Sequence, residues 1–212
     1  WFSLTFKSAL ALVGGVPYLL LLLTVPDGLV TPLALGLATL LVGINLVGAK
    51  QTGLTQVAVV ALMLVALAWF VVGGGPSVET ARFEPFVAGG IGGIATAIGL
   101  VFVSYAGVTK VASVAEEIER PNRNIPLGII GSLVFTTLLY VGIVAVVVGV
   151  VPATELAGSA TPMADAAQAT LGDIGVAAVV FAAILALVST ANAGVLSASR
   201  YPFAMARDRL VP

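Results

Sequence analysis

The chain has no cysteine and no histidine among its 212 residues, and only 9% of them are charged. The missing cysteine and histidine exclude disulfides, thiol chemistry, a Cys/His zinc site, a Ser-His-Asp triad and a histidine pH switch. The shortage of charge excludes more. Soluble domains carry about 25% charged residues, and a chain this size with so few cannot clothe itself in water. Nine basic and ten acidic residues give a net charge of −1, so no basic excess exists to hold nucleic acid. No basic segment followed by a short apolar run and a small-residue cleavage site reads as a signal peptide. The first residue is Trp1, not Met, which suggests a piece of a longer chain. What remains is apolar: 59% of residues are hydrophobic and the mean hydropathy is +1.15. This is the composition of an integral membrane protein.

A bilayer core takes roughly 20 apolar residues per helix. Six such runs are predicted, at residues 4–25, 32–47, 57–72, 86–115, 127–151 and 174–198. They are too long for barrel strands and show no alternation, so the fold is all-α. Short links make the loops alternate sides. Lys7, Lys50, Arg120, Arg123, Arg200, Arg207 and Arg209 fall on one side, and Arg82 alone on the other. The positive-inside rule makes the first side cytoplasmic, with both ends of the segment there. In the long loop before the sixth run, Thr161-Pro162 predicts the N-cap and first position of a short helix over 162–171, lying across the outer face and ending at Gly172.

The fourth run is the most informative. Residues 86–115 would make a helix of roughly 45 Å, longer than a bilayer core of about 30 Å. It opens on paired glycines, and its middle reads Phe102-Val103-Ser104-Tyr105-Ala106-Gly107-Val108-Thr109-Lys110. Polar groups, a glycine followed by β-branched residues and a lysine at that depth predict a helix broken around Ser104–Gly107. Irregular backbone there is tolerated only where it lines a cavity, and broken helices near the midplane mark secondary transporters. A tilted continuous helix whose glycines allow close packing is the plainer alternative. Lys110 either faces that cavity or snorkels to the interface.

The motif SYAGVTKVASVAEEIERPNRNIPLGI (104–129) resembles the sixth helix and following loop of the amino acid–polyamine–organocation transporter superfamily, of amino acid permease type. The motif STANAGVLSASRYPFAMARDRLVP (189–212) resembles its eighth helix, and INLVGAKQTGLTQ (44–56) its link between the fourth and fifth. The resemblance implies a leucine-transporter-type inverted-repeat fold, with the six spans as its third to eighth helices and one of them discontinuous. Residues 1–212 would form a single transmembrane domain, a fragment of a larger permease. Residues 1–75 would end the first repeat and 86–212 begin the second. The remaining helices of the same permease, the lipid bilayer of the cell membrane and a small-molecule substrate are then its partners. A fragment without those helices is not expected to transport alone.

The function implied is secondary active transport of amino acids or related small amines by alternating access. Substrate would lie at Val103, Ser104, Tyr105, Ala106 and Gly107, whose freed amides and carbonyls suit α-carboxylate and α-amino groups. Phe102 or Tyr105 would gate the site, or simply pack between helices. Thr109 stands where relatives often carry an acid, which speaks against a cationic substrate. Tyr18, after Pro17, would face the site or pack at a kink. Ser189, Thr190 and Asn192 match the region where sodium-coupled relatives ligate Na⁺, and hydroxyl oxygens suit a hard cation. Plain hydrogen bonding to helix carbonyls is the alternative. The lysine that some proton-coupled relatives carry on the fifth helix is absent from 57–72, where Met63 stands as the most polar core residue. Coupling to Na⁺ or to H⁺ through Lys110 therefore stays open. Glu116, Glu117, Arg120, Arg123 and Arg200 would form a cytoplasmic gate network or only anchor the loops. No cofactor and no enzymatic activity are expected, since no nucleophile–base pair or metal cluster is present. The competing functions are a channel-like pore and a non-transporting sensor or scaffold on the same fold.

Overall fold

The computed structural model describes residues 17, 18, 20, 21, 32, 35, 36, 39, 52–87, 89–105, 107, 118–207 and 209. Within these it is helical, with no strand. Of the first two expected spans, only 17, 18, 20, 21, 32, 35, 36 and 39 fall in the described set, all of them helical.

Helix α1 runs Thr52–Gly74, 23 residues of which nearly all after Gln56 are apolar. At 1.5 Å per residue it is about 35 Å long, enough for a bilayer core. It ends where Gly73-Gly74-Gly75-Pro76 ends it: Pro76 cannot extend the ladder, and a 3-10 turn, Gly75–Ser77, follows. A second 3-10 turn, Thr80–Phe83, completes the connection. That connection is tied down twice. The Glu79 amide donates to the Gly149 carbonyl at 2.9 Å, and Arg82 pairs with Glu79 at 2.9 Å. The pair holds the Glu79 carboxyl below its ordinary range, chiefly by the hydrogen bond from Arg82.

Helix α2, Gly90–Tyr105, begins four residues after the expected start of 86, and of the expected run beyond Tyr105 only Gly107 is among the described residues. It begins after Gly89, with Gly90 at φ +57°, and Gly107 lies in a turn beyond its end. Helix α3, Pro121–Val150, begins six residues before the expected start of 127. The proline-rich PNRNIP segment reads as loop, yet Pro121 occupies a first-turn position where no donor is needed. Pro126 sits inside the helix, where it removes one ladder bond. Arg120, at φ 50°, turns the chain into this helix, and its carbonyl accepts from the amides of Arg123 and Asn124 at 3.0 Å. Helix α4 is a single turn, Ala153–Leu156.

Helix α5 spans Pro162–Arg207, with non-helical geometry at Gly172. The short helix expected over 162–171 is therefore present, joined to the last span through one residue. Its start is organised by more than Thr161. The Thr161 carbonyl accepts from Ala164 and Asp165 amides, while the Ser159 hydroxyl donates to Asp165 and accepts from the Thr161 amide.

Three helical stretches, 56–77, 121–150 and 162–187, are long and apolar enough to cross a membrane, and Gly90–Phe102 is a shorter apolar helix. The three long stretches meet at a core of Phe70, Ile143, Val146, Val147, Val151, Ala166, Ala167 and Val179. Alanines on the 162–171 segment let it approach α1 and α3 closely. Ala166 and Ala167 are wholly buried beside Phe70. Between apolar helices in lipid such contacts gain close packing more than exclusion of water. Close approach also explains Gly142 and Gly74. A Cβ on the first would lie 2.9 Å from a Val71 methyl, and one on the second 2.6 Å from a Val146 methyl.

Candidate substrate cavity

Helix α2 ends at Tyr105, ahead of the turn at Gly107, a residue whose backbone freedom suits a helix end. Its last residue, Tyr105, is met by α3. The Tyr105 hydroxyl lies 2.9 Å from the Thr137 hydroxyl. Its ring packs edge-on to Tyr140, with centroids 5.7 Å apart and planes inclined by 63°. Thr137 and Tyr140 are three residues apart, one face of a helix.

These groups line a cavity of about 1060 Å³. It is bordered by residues of α1, α2, α3 and α5 and by Tyr18. Its lining is mostly valine, leucine, isoleucine and alanine, and its polar atoms are hydroxyls: Tyr18, Ser104, Tyr105, Thr137, Tyr140 and Thr190. No charged side chain borders it among the described residues. The volume is at the upper end of the range for small-molecule sites, and a mostly apolar wall with a few placed polar groups is their usual chemistry. Met163, from the 162–171 segment, borders the cavity, and like Tyr18 it packs against the core.

Four of the residues singled out in the sequence, Tyr18, Ser104, Tyr105 and Thr190, thus share one cavity. The Ser104 hydroxyl also donates back to the Leu100 carbonyl at 3.2 Å. Phe102 is 75% exposed and is not part of the lining. Val103 is helical, and Gly107 lies half-buried in its turn. Ser189 is buried, and its hydroxyl accepts a hydrogen bond from the Gln56 amide. Asn192 and Arg200 lie in α5. Arg120 and Arg123 stand at the start of α3, and among the described residues the one ion pair is Arg82–Glu79. Ala106, Thr109, Lys110, Glu116 and Glu117 lie outside the described residues.

Thr137, Tyr140, Met163 and Gln56 were not singled out in the sequence. A signal exists for two of them: Thr137 and Tyr140 put hydroxyls three apart inside a mostly apolar span that also holds Ser132 and Thr136. Gln56 stands one residue before the expected third span, at the end of the 44–56 motif.

The sequence profile of the amino acid permease family matches residues 1–212. The branched-chain amino acid permease BcaP of Bacillus subtilis is 32% identical over 166 residues, covering 78% of this chain and 36% of its own. The BcaP of Lactococcus lactis is 32% identical over 174 residues, 78% of this chain and 37% of its own. The chloroplastic cationic amino acid transporter 9 of Arabidopsis thaliana is 31% identical over 186 residues, 87% of this chain and 32% of its own. The chain spans about a third of the length of these curated relatives, which are named as permeases and transporters, not enzymes. Apolar helices long enough to span a bilayer, a mostly apolar cavity at the end of α2 and a family match along the whole chain agree: this is a multi-pass membrane protein of the amino acid permease family.

Proposed function

We propose that the protein is part of a secondary active transporter that moves amino acids with uncharged side chains across the cell membrane by alternating access. The observation that carries this is the cavity at the end of α2, lined by hydroxyls and aliphatic side chains. A cationic side chain moved from water into such a wall, without a partner, meets a desolvation cost. Among the relatives, this favours the reading given by the branched-chain permeases over that given by the cationic transporter. An apolar side chain would lie against Ile143, Val179 and Leu187, and the α-amino and α-carboxylate groups against the backbone freed between Tyr105 and Gly107.

On this reading the chain follows the leucine-transporter-type arrangement, with residues 1–75 closing one inverted repeat and 86–212 opening the next. The basic side that carries Arg120, Arg123 and Arg200 is cytoplasmic, and with Glu116 and Glu117 these residues form contacts that break and reform as the repeats rock. The driving ion is Na⁺ held at Ser189, Thr190 and Asn192, or H⁺ carried through Lys110. Lys110 would face a hydrated cavity, since an ammonium at that depth costs several kcal/mol without water or a partner. Lys110→Met then keeps the fold but alters the pH dependence of uptake.

The test is uptake by the intact protein in proteoliposomes, across a panel of amino acids, with and without a Na⁺ or H⁺ gradient. Accelerated exchange of labelled against unlabelled leucine supports a transporter, and flux without exchange supports a channel. Binding without flux supports a sensor. Preference for lysine or arginine over leucine overturns the assigned substrate class.

A further inference from the structure

We infer that Thr137 and Tyr140 are positioning residues for the substrate, acting through Tyr105. This rests on the transport reading above. Tyr105 is the last residue of α2, and Gly107 beyond it lies in a turn. The carbonyls at a helix end also lack their usual partners. A phenol placed there keeps one orientation only if another element braces it, and α3 supplies two braces. The Thr137 hydroxyl meets the phenol oxygen at 2.9 Å, and the Tyr140 ring presents itself edge-on at 5.7 Å. Thr137 is helical and divides between two χ1 states, and the contact with Tyr105 selects one of them. All three side chains border the cavity.

The chemistry of the pair follows from counting hydrogens. Two hydroxyls carry two O–H hydrogens, and their mutual bond consumes one. One donor and several acceptor lone pairs remain for a ligand. The pair therefore suits either end of an amino acid: it donates to a carboxylate or accepts from an ammonium. Its position at the tip of α2 sets how far into the cavity that end sits. Removing the Thr137 hydroxyl leaves Tyr105 in place but releases its phenol, which weakens substrate capture without disabling the transport cycle.

The experiment measures uptake kinetics of L-leucine, L-alanine and L-phenylalanine by the intact protein in proteoliposomes. Thr137→Val, which keeps shape and loses the hydroxyl, and Tyr105→Phe should each raise KM about fivefold, with the maximal rate within about twofold. The double variant should be no worse than the weaker single one, because both remove the same bond. Thr137→Ser should restore wild-type KM. Tyr140→Leu, which removes the ring packed edge-on to Tyr105, should raise KM as well. Unchanged KM in Thr137→Val and Tyr105→Phe, with leucine still carried by the wild type, overturns this inference and leaves the transport reading standing. So does a double variant whose effects multiply to about 25-fold. If Thr137→Val fails to assemble, Tyr105→Phe and Thr137→Ser decide alone. A wild type that carries none of the three amino acids overturns the transport reading, and this inference with it.

Discussion

Gln56 in α1 donates its side-chain amide to the Ser189 hydroxyl in α5, 133 positions further along the chain. It joins the two helices that pack most extensively among the described elements, at a point where Ser189 is buried. Ser189→Ala removes the acceptor and should destabilise the protein by about 1–3 kcal/mol, read as a lower thermal midpoint in detergent micelles. The same bond bears on Na⁺. The Ser189 oxygen has two lone pairs and the Gln56 amide takes one, so Na⁺ there would share the oxygen with that bond or displace it. If Na⁺ binds there, Ser189→Ala weakens sodium dependence more than it lowers expression. Uptake that never depends on Na⁺ leaves the pair as a structural brace alone.

The Glu79–Arg82 pair gives a pH prediction. Its hydrogen bond lowers the Glu79 pKa in the folded protein. A lowered carboxyl contributes stability that is complete above the ordinary glutamate range and is lost as pH falls through the lowered folded value. Thermal midpoints measured from about pH 7 to about pH 3 should therefore fall less steeply in Glu79→Gln than in wild type. Both groups are exposed, so the difference should be small and shrink with salt. An identical acid limb in the variant, at low salt, removes the pair from the stability of the α1–α2 connection.

Much of this arrangement is legible in the residues, and the remainder has a physical reason for being hidden. Long apolar runs mark α1 and α3, Gly73-Gly74-Gly75-Pro76 marks the end of α1, and Thr161-Pro162 with Gly172 marks the segment before the last span. The start of α3 lies before the expected 127 because a proline suppresses helix in the interior yet is welcome in the first turn. The meeting of Tyr105 with Thr137 and Tyr140 was hidden for another reason. Helices that are apolar all round carry no polar face to announce which side meets a neighbour. The same holds for Gln56 and Ser189. Phe102 shows it in reverse: its type suits a gate, but its angular position on α2 leaves it 75% exposed.

Topology is testable directly because the chain has no cysteine. Ser77 lies in the connection whose Glu79 amide is bonded to Gly149, near the end of α3, while Asn122 lies at that helix's start. The 30-residue helix between those ends is about 45 Å long. Single cysteines at Ser77 and Asn122 should therefore react with an impermeant maleimide from opposite sides, with Asn122 cytoplasmic. Labelling from one side would refute the spanning assignment of α3.

Gly172 carries the last prediction. Its φ of 63° and ψ of −155° lie in a region that only glycine enters at low cost. Space is not the obstacle, since a Cβ there would meet nothing within 4 Å. The backbone itself resists, so Gly172→Ala should cost about 1–3 kcal/mol. The turn is tight enough that the next glycine is constrained too. A Cβ on Gly175 would lie 2.9 Å from the Ala167 carbonyl oxygen, a backbone atom that cannot swing aside. This bend brings Ala166 and Ala167 into the core and sets Met163 at the cavity beside Tyr18. An alanine that straightens it would pull all three away. Gly172→Ala should thus lower the thermal midpoint and weaken leucine binding together. Gly75→Ala, with open space around it and no positive φ, should change neither. Full stability in Gly172→Ala would mean that 162–171 and the last span run as one continuous rod, and that the cavity is not closed from that end.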